Sequence, residues 1–175
     1  IAAYDSNIHL DRIEIMNVSR YGFDPHEATA GLTISNCVSH HNGVDGFTID
    51  NASQVTLFNN DAYANGRHGF NVVTGSNGVR FQDNDSWGNG QSGIVVQTGD
   101  NEIRAFTSDV SILGGEVYDN GRAGVEVRQT TNVSISNVAI SGNALEGIIL
   151  SGVDGASLAN NALTSNGRAL AAGSE

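Results

Sequence analysis

The chain has 175 residues, 39% of them hydrophobic, with 22 glycines against one proline and a formal net charge of −11. That length supports one domain with a sizeable core, and the glycine-rich, proline-poor profile suits a turn-rich all-β domain better than a helical one. The acidity excludes a nucleic-acid partner, and no apolar run approaches the roughly 18 residues that a membrane span needs. A single cysteine, Cys37, rules out an internal disulfide framework and reads as a strand residue within Ser35-Asn36-Cys37-Val38. All eight basic residues are arginine, whose planar fork suits carboxylates and phosphates, so their placement matters more than their sum. There is no signal-peptide pattern, and an opening Ile1 leads us to expect a processed or excised chain.

The first dense polar stretch is Arg20-Tyr-Gly-Phe-Asp-Pro-His-Glu27. It gathers a phenol, an imidazole and two carboxylates, and Pro25 stiffens it by fixing φ and removing an N–H. The same frame then recurs: Asn, usually Gly, two variable residues, Gly, and an apolar alternation. It appears at Asn42-Gly-Val-Asp-Gly46, Asn65-Gly-Arg-His-Gly69, Asn89-Gly-Gln-Ser-Gly93, Asn120-Gly-Arg-Ala-Gly124 and Asn143-Ala-Leu-Glu-Gly147. Gly22 lies 24 residues before Gly46, and the later glycines follow at 23, 24, 31 and 23; the long interval marks an insertion near Gly99 to Phe106. Asn166 opens a further coil, but Leu170 stands where glycine is expected. We therefore read one domain over 1–175, with the repeat clear from about 13 to 166 and residues 168–175 as a weakly ordered tail.

Each coil carries short period-two runs such as Phe70-Asn-Val-Val and Val125-Glu-Val-Arg, with a second strand read from Leu32-Thr-Ile, Val55-Thr-Leu and their successors. Six residues before each turn Asn stands a polar or small residue (Asn36, Asn59, Asp83, Gly114, Asn137, Asn160), where a stacked amide ladder is expected. Short strands repeating at this period, without helices and without a leucine-rich signature, predict a right-handed parallel β-helix of six to seven coils of 23–24 residues.

In such a solenoid, equivalent residues of successive coils lie about 4.8 Å apart. Alignment on the glycine places Phe23, Phe47, Phe70, Ile94, Val125 and Ile148 inside, with Pro25, Ile49, Val72, Val96, Val127 and Leu150 beside them. Two and four residues after the glycine face outward: Asp24 and His26, Thr48 and Asp50, Asn71 and Val73, Val95 and Gln97, Glu126 and Arg128. The residue before the glycine (Tyr21, Asp45, His68, Ser92) has no assigned face, since a glycine at φ > 0 would redirect the chain. Tyr21, Asp24, His26, Asp45, Asp50 and His68 thus fall on three adjacent coils. Arginines 20, 67, 122, 128 and 168 line the same face, as expected for a groove guiding an anionic polymer. His40 and His41 read as turn-flanking surface residues, His9 carries no case, and Glu27 reads as solvated. Asn-x-Ser triplets such as those at Asn17, Asn51 and Asn132 are expected from the repeat alone.

Such a set suits proton exchange α to a carboxylate, as at C5 of a uronic acid. The carboxylate must be neutralised, a base placed near C5 and a donor placed on the other face. His26 and Tyr21 have the reference acidities for base and donor, in either assignment. Asp24 could share a proton with the substrate carboxylate, while Asp50 and His68 orient the others. Two close carboxylates would also suit a glycosidase.

Tyr21-Gly-Phe-Asp-Pro-His-Glu27, followed by His41-Asn-Gly-Val-Asp-Gly-Phe47 and Arg67-His-Gly-Phe-Asn-Val-Val-Thr74, resembles the catalytic A-module of bacterial mannuronan (alginate) C5-epimerases, from about Ile13 to Asn166. The resemblance implies conversion of β-D-mannuronate to α-L-guluronate within the polymer. It puts the catalytic tyrosine, aspartate and histidine at Tyr21, Asp24 and His26, with a supporting aspartate at Asp50 and a second histidine at His68. It puts polymer contacts at Arg67, Asn71 and Gln97; the columns add Arg20, Asp45, Arg122 and Arg128. Family A-modules are longer, with coils and a capping helix upstream of Ile1, a site lysine in that part, and further coils downstream. The resemblance also implies a secreted or cell-surface bacterial protein, possible use of Ca²⁺ at ligands not identifiable here, and separate Ca²⁺-binding repeat modules, whose nonapeptide does not occur in this chain. An alginate lyase, using the same C5 carbanion, and a non-catalytic polysaccharide-binding β-helix are the alternatives.

Overall fold

The computed structural model describes residues 5–25, 28–99 and 106–173. Every strand pairing is parallel, no helix occurs among the described residues, and the strands sort into sheets of seven, seven and six. One coil consists of Ser53–Phe58, Asp61–Tyr63 and Phe70–Val73, and the next of Asn77–Gln82, Asp85–Trp87 and Ile94–Gln97. The chain is a parallel β-helix of about seven turns.

Register follows from side-chain stacking. Leu32 pairs with Val55, Val55 with Val79 and Val79 with Val110, so branched residues pile up inside each sheet. Phe23, Phe47 and Phe70 stack face to face, with centroids 4.6 and 4.8 Å apart. Burying each ring is worth about 2–3 kcal/mol, and each stacked pair adds about 1 kcal/mol. The extra residues between Ile94–Gln97 and Ser108–Leu113 leave register intact, since Val79 still pairs with Val110.

The turns hold the longest amide ladder. Asn42 Nδ2 donates to Asn65 Oδ1 at 3.0 Å, and the series runs on through Asn89, Asn120, Asn143 and Asn166 at 2.8–3.0 Å. The ladder expected six residues earlier is a short exposed run, Asn59 to Asn36 to Asp11. Those positions are polar or glycine for another reason: each adopts a left-handed backbone, from φ 52° at Asp83 to 67° at Gly114. The repeat glycine does not take φ > 0. A Cβ on Gly46 would lie 2.7 Å from the carbonyl oxygen of Gly69 and 2.8 Å from Asn65 Nδ2, so close approach to the next coil demands glycine.

Two further expectations change. Within the stretch expected as a tail, Arg168–Gly173 forms a strand paired with Glu146–Ser151; the backbone ladder continues where the glycine signature stops. The segment Tyr21–Pro25 forms only a single bridge, Phe23 to Phe47, because Pro25 offers no N–H to extend it.

Candidate active-site groove

The backbone fixes this segment first. Gly22 and Phe23 donate N–H to the carbonyls of Asp45 and Gly46 at 3.0 and 2.9 Å, and Thr48 N–H returns to Phe23 O at 2.8 Å. With Phe23 turned inward, Tyr21 and Asp24 flank it on the outer side of the third sheet. Arg20, Tyr21, Asp24, Asp50, Arg67, Asn71 and Gln97 line one cavity of about 610 Å³. Four lining residues were missed by the sequence reading: Thr48, Val73, Thr74 and Gly99. Thr48 and Val73 stood in the outward-facing columns, so that signal existed. His26 and Glu27 lie outside the described residues.

Positive charge surrounds the phenol. The Arg20 guanidinium carbon is 5.1 Å from the Tyr21 ring centroid, with Nη2 donating to the hydroxyl at 3.4 Å, and the Arg67 carbon is 6.0 Å away. Arg67 is held from beneath by Asp45, which was expected to meet the polymer but is 0% exposed and does not line the cavity. Arg67 donates through Nε at 2.8 Å and Nη2 at 2.5 Å, and Asp45 also accepts the His68 N–H, Asn71 Nδ2 and Thr48 Oγ1. Those hydrogen bonds push the Arg67 guanidinium above its usual value. Asn71 in turn accepts Gln97 Nε2 at 3.0 Å.

His68 is buried behind this wall. Its Nδ1 accepts the Ser92 N–H at 3.2 Å, and burial, opposed by Asp45 and reinforced by Arg67, lowers its pKa to about 4. The ring is neutral at pH 7, with its proton on Nε2. It does not line the cavity, and a supporting role fits it better than direct contact.

Arg122 and Arg128 do not line the cavity either. They border a second depression of about 490 Å³, with Glu126, Glu146 and Ser151. Glu126, 1% exposed, accepts hydrogen bonds from both arginines and from Ser92 Oγ. Burial disfavours its charge, but these donors outweigh that and hold its carboxyl below the usual range. The expected stripe of free positive charge is therefore largely compensated. Four of the five arginines pair with carboxylates: Arg67 with Asp45, Arg122 and Arg128 with Glu126, and Arg168 with Glu146. Among the described residues these five cations share their face with five carboxylates, Asp45, Glu126, Glu146, Asp24 and Asp50, which leaves little net positive charge there. Oriented guanidinium forks, more than a broad field, characterise the groove.

Among the described residues no three His, Cys, Asp or Glu side chains converge as a metal site requires. No described helix is long and apolar enough to cross a membrane.

A parallel solenoid with a polar groove along one sheet defines the class, and the chain belongs to the right-handed β-helix family, whose right-handed beta helix region matches residues 1–86 and 73–174. Within that class it is similar to the A-modules of mannuronan C5-epimerases. It superposes on the A-module of AlgE6 from Azotobacter vinelandii with a TM-score of 0.91 and 41% identity, covering 96% of this chain and 44% of that one. It is 47% identical over 130 residues to mannuronan C5-epimerase AlgE6, covering 74% of this chain, and 53% identical over 131 residues to alginate lyase 7 of the same organism, covering 75%. The chain spans only 15% of the length of each of these two relatives.

Proposed function

We propose that this chain carries the catalytic groove of an alginate-modifying enzyme that epimerises mannuronate at C5 within the polymer. The observation that carries the reading is the convergence of Tyr21, Asp24, Asp50, Arg20 and Arg67 on one cavity, in a chain similar to named C5-epimerases. A uronate carboxylate set against the guanidinium groups has its charge compensated, which makes the C5 hydrogen acidic enough to leave as a proton. The electron pair passes into the carboxylate as an enediolate, and a donor on the opposite ring face returns a proton to C5. Tyr21 supplies one of these two groups. His26, assigned the other by resemblance, and Asp24 and Asp50 as its supports complete the set. Arg67, Asn71 and Gln97 hold the polymer. Such a protein would meet alginate outside the cell or at its surface.

β-Elimination is the second reading, favoured by the 53% identity to alginate lyase 7. There the same electron pair expels the O4-linked sugar, leaving a C4–C5 double bond and a shorter chain. Product analysis separates the two. Incubation with mannuronan should raise the guluronate fraction by NMR, with chain length kept and no ultraviolet absorbance from unsaturated ends. Growing absorbance with falling chain length would assign the lyase instead, and binding without either change would leave a polysaccharide-binding β-helix.

A further inference from the structure

We infer that Asp45 is a positioning residue: it meets no sugar itself, but decides which hydrogen-bonding atoms Arg67, Asn71 and, through Asn71, Gln97 turn toward one. This inference rests on the reading that the groove holds a uronate polymer.

A buried carboxylate only accepts. Asp45 Oδ1 takes the Arg67 Nε–H at 2.8 Å and the His68 backbone N–H at 3.0 Å. Oδ2 takes Arg67 Nη2 at 2.5 Å, Asn71 Nδ2 at 3.1 Å and Thr48 Oγ1 at 3.2 Å. Asn71 must therefore present its amino group to Asp45, which turns its Oδ1 the other way, where Gln97 Nε2 donates at 3.0 Å. With its amino group so engaged, Gln97 has its carbonyl as the acceptor for a sugar hydroxyl. Arg67, with Nε and Nη2 tied to Asp45, keeps the rest of its guanidinium beside Tyr21 at the cavity, where an incoming carboxylate would meet the fork and the phenol together. One buried acid thus sets a carboxylate-binding fork and a hydroxyl-accepting carbonyl along the cavity wall, complementary to the carboxylate and hydroxyl groups that a uronate presents.

Asparagine cannot replace Asp45. Whichever oxygen becomes an amino group then faces two or three donors, and the Asn71 amide is free to turn over. The test combines side-chain NMR with titration by mannuronate oligomers. In the unsubstituted chain, Arg67 Nε–H should exchange with solvent at least about 10-fold more slowly than that of Arg80, an exposed residue of the first sheet. Asp45→Asn should abolish that protection, shift the side-chain amide signals of Asn71 and Gln97, and weaken oligomer binding about 10-fold. Gln97→Glu, which sets a carboxylate against Asn71 Oδ1, should weaken binding in the native background but much less in the Asp45→Asn background, where Asn71 can turn to donate. Additive effects of the two substitutions, or Asn71 and Gln97 signals unmoved by Asp45→Asn, would overturn the inference. Should Asp45→Asn not fold, the exchange comparison in the unsubstituted chain decides, and Arg67 exchanging as fast as Arg80 refutes it. Protection and amide shifts in a chain that binds no mannuronate oligomer would uphold the positioning role and count against the alginate reading alone.

Discussion

Ser92 donates its backbone N–H to Nδ1 of His68 at 3.2 Å, so the neutral ring carries its one proton on Nε2. Because burial lowers the folded-state pKa to about 4, against about 6.5 in the unfolded chain, the unfolded state binds the proton first as pH falls. Stability is then complete above about pH 6.5 and declines toward pH 4, by at most ~3 kcal/mol from this group. His68→Gln, which cannot charge, should lack that slope in urea unfolding between pH 7 and 4.5. Identical slopes in the two proteins would count against a buried neutral His68.

The turn ladder should matter far more than the exposed amides. Asn89 Nδ2 donates to Asn120 Oδ1, Ala62 O and Ser86 Oγ, and its Oδ1 accepts two hydrogen bonds from Asn65. Asn89→Ala leaves several buried groups unsatisfied and should cost about 2–4 kcal/mol. Asn59→Gly, which keeps the left-handed backbone at an exposed site, should stay within about 1 kcal/mol. Chemical denaturation of the two variants gives the comparison.

Gly46→Ala is expected to lower stability by about 1–3 kcal/mol through overpacking, since the new methyl lies against the Gly69 carbonyl of the next coil. The same displacement moves Asp45 and Arg67, so oligomer affinity should fall with thermal stability. A variant with unchanged melting temperature would show that the coils can part at no cost.

At the second depression, Glu126→Gln removes the anion shared by Arg122 and Arg128. Stability should drop by about 1–3 kcal/mol, because a charge-assisted network loses its centre. Loss of that negative charge beside two guanidinium groups should also make mannuronan binding more salt-dependent. Affinity measured at two ionic strengths reads this directly.

The interior was legible because period-two alternation repeated at a fixed spacing admits one stacking, and Phe23, Phe47 and Phe70 sit where it places them. The cavity wall was legible in part: Tyr21, Asp24, Asp50, Arg67, Asn71 and Gln97 come together as their columns require. What the columns could not show is cover. Thr48, Asn71, Val95 and Glu126 occupy the outward-facing column yet are buried, as are Asp45, His68 and Ser92 in the column before the glycine. Alternation gives a side chain's direction but not what folds over it. Asp45 consequently read as a groove residue when it is an anchor, and the arginine stripe read as free charge because Asp45 and Glu146 stand one coil away from their arginines, while Glu126, in the same outward column as Arg128, was not matched to it or to Arg122. The turn asparagines read as turn formers, which they are. Their ladder depends on amides 23 to 31 residues apart meeting, a relation visible only once the coils are stacked.

The central claim is that Tyr21, brought beside Arg67 by stacked coils, takes part in moving the proton at C5 of a uronate. The most direct measurement is incorporation of solvent deuterium at C5 of mannuronan, for the unsubstituted chain and for Tyr21→Phe. The account predicts deuterium at C5 of newly formed guluronate with the former and at least about 100-fold less with the latter, the scale of one lost general acid or base. Equal incorporation by both, or none by the unsubstituted chain while it binds the polymer, would contradict it.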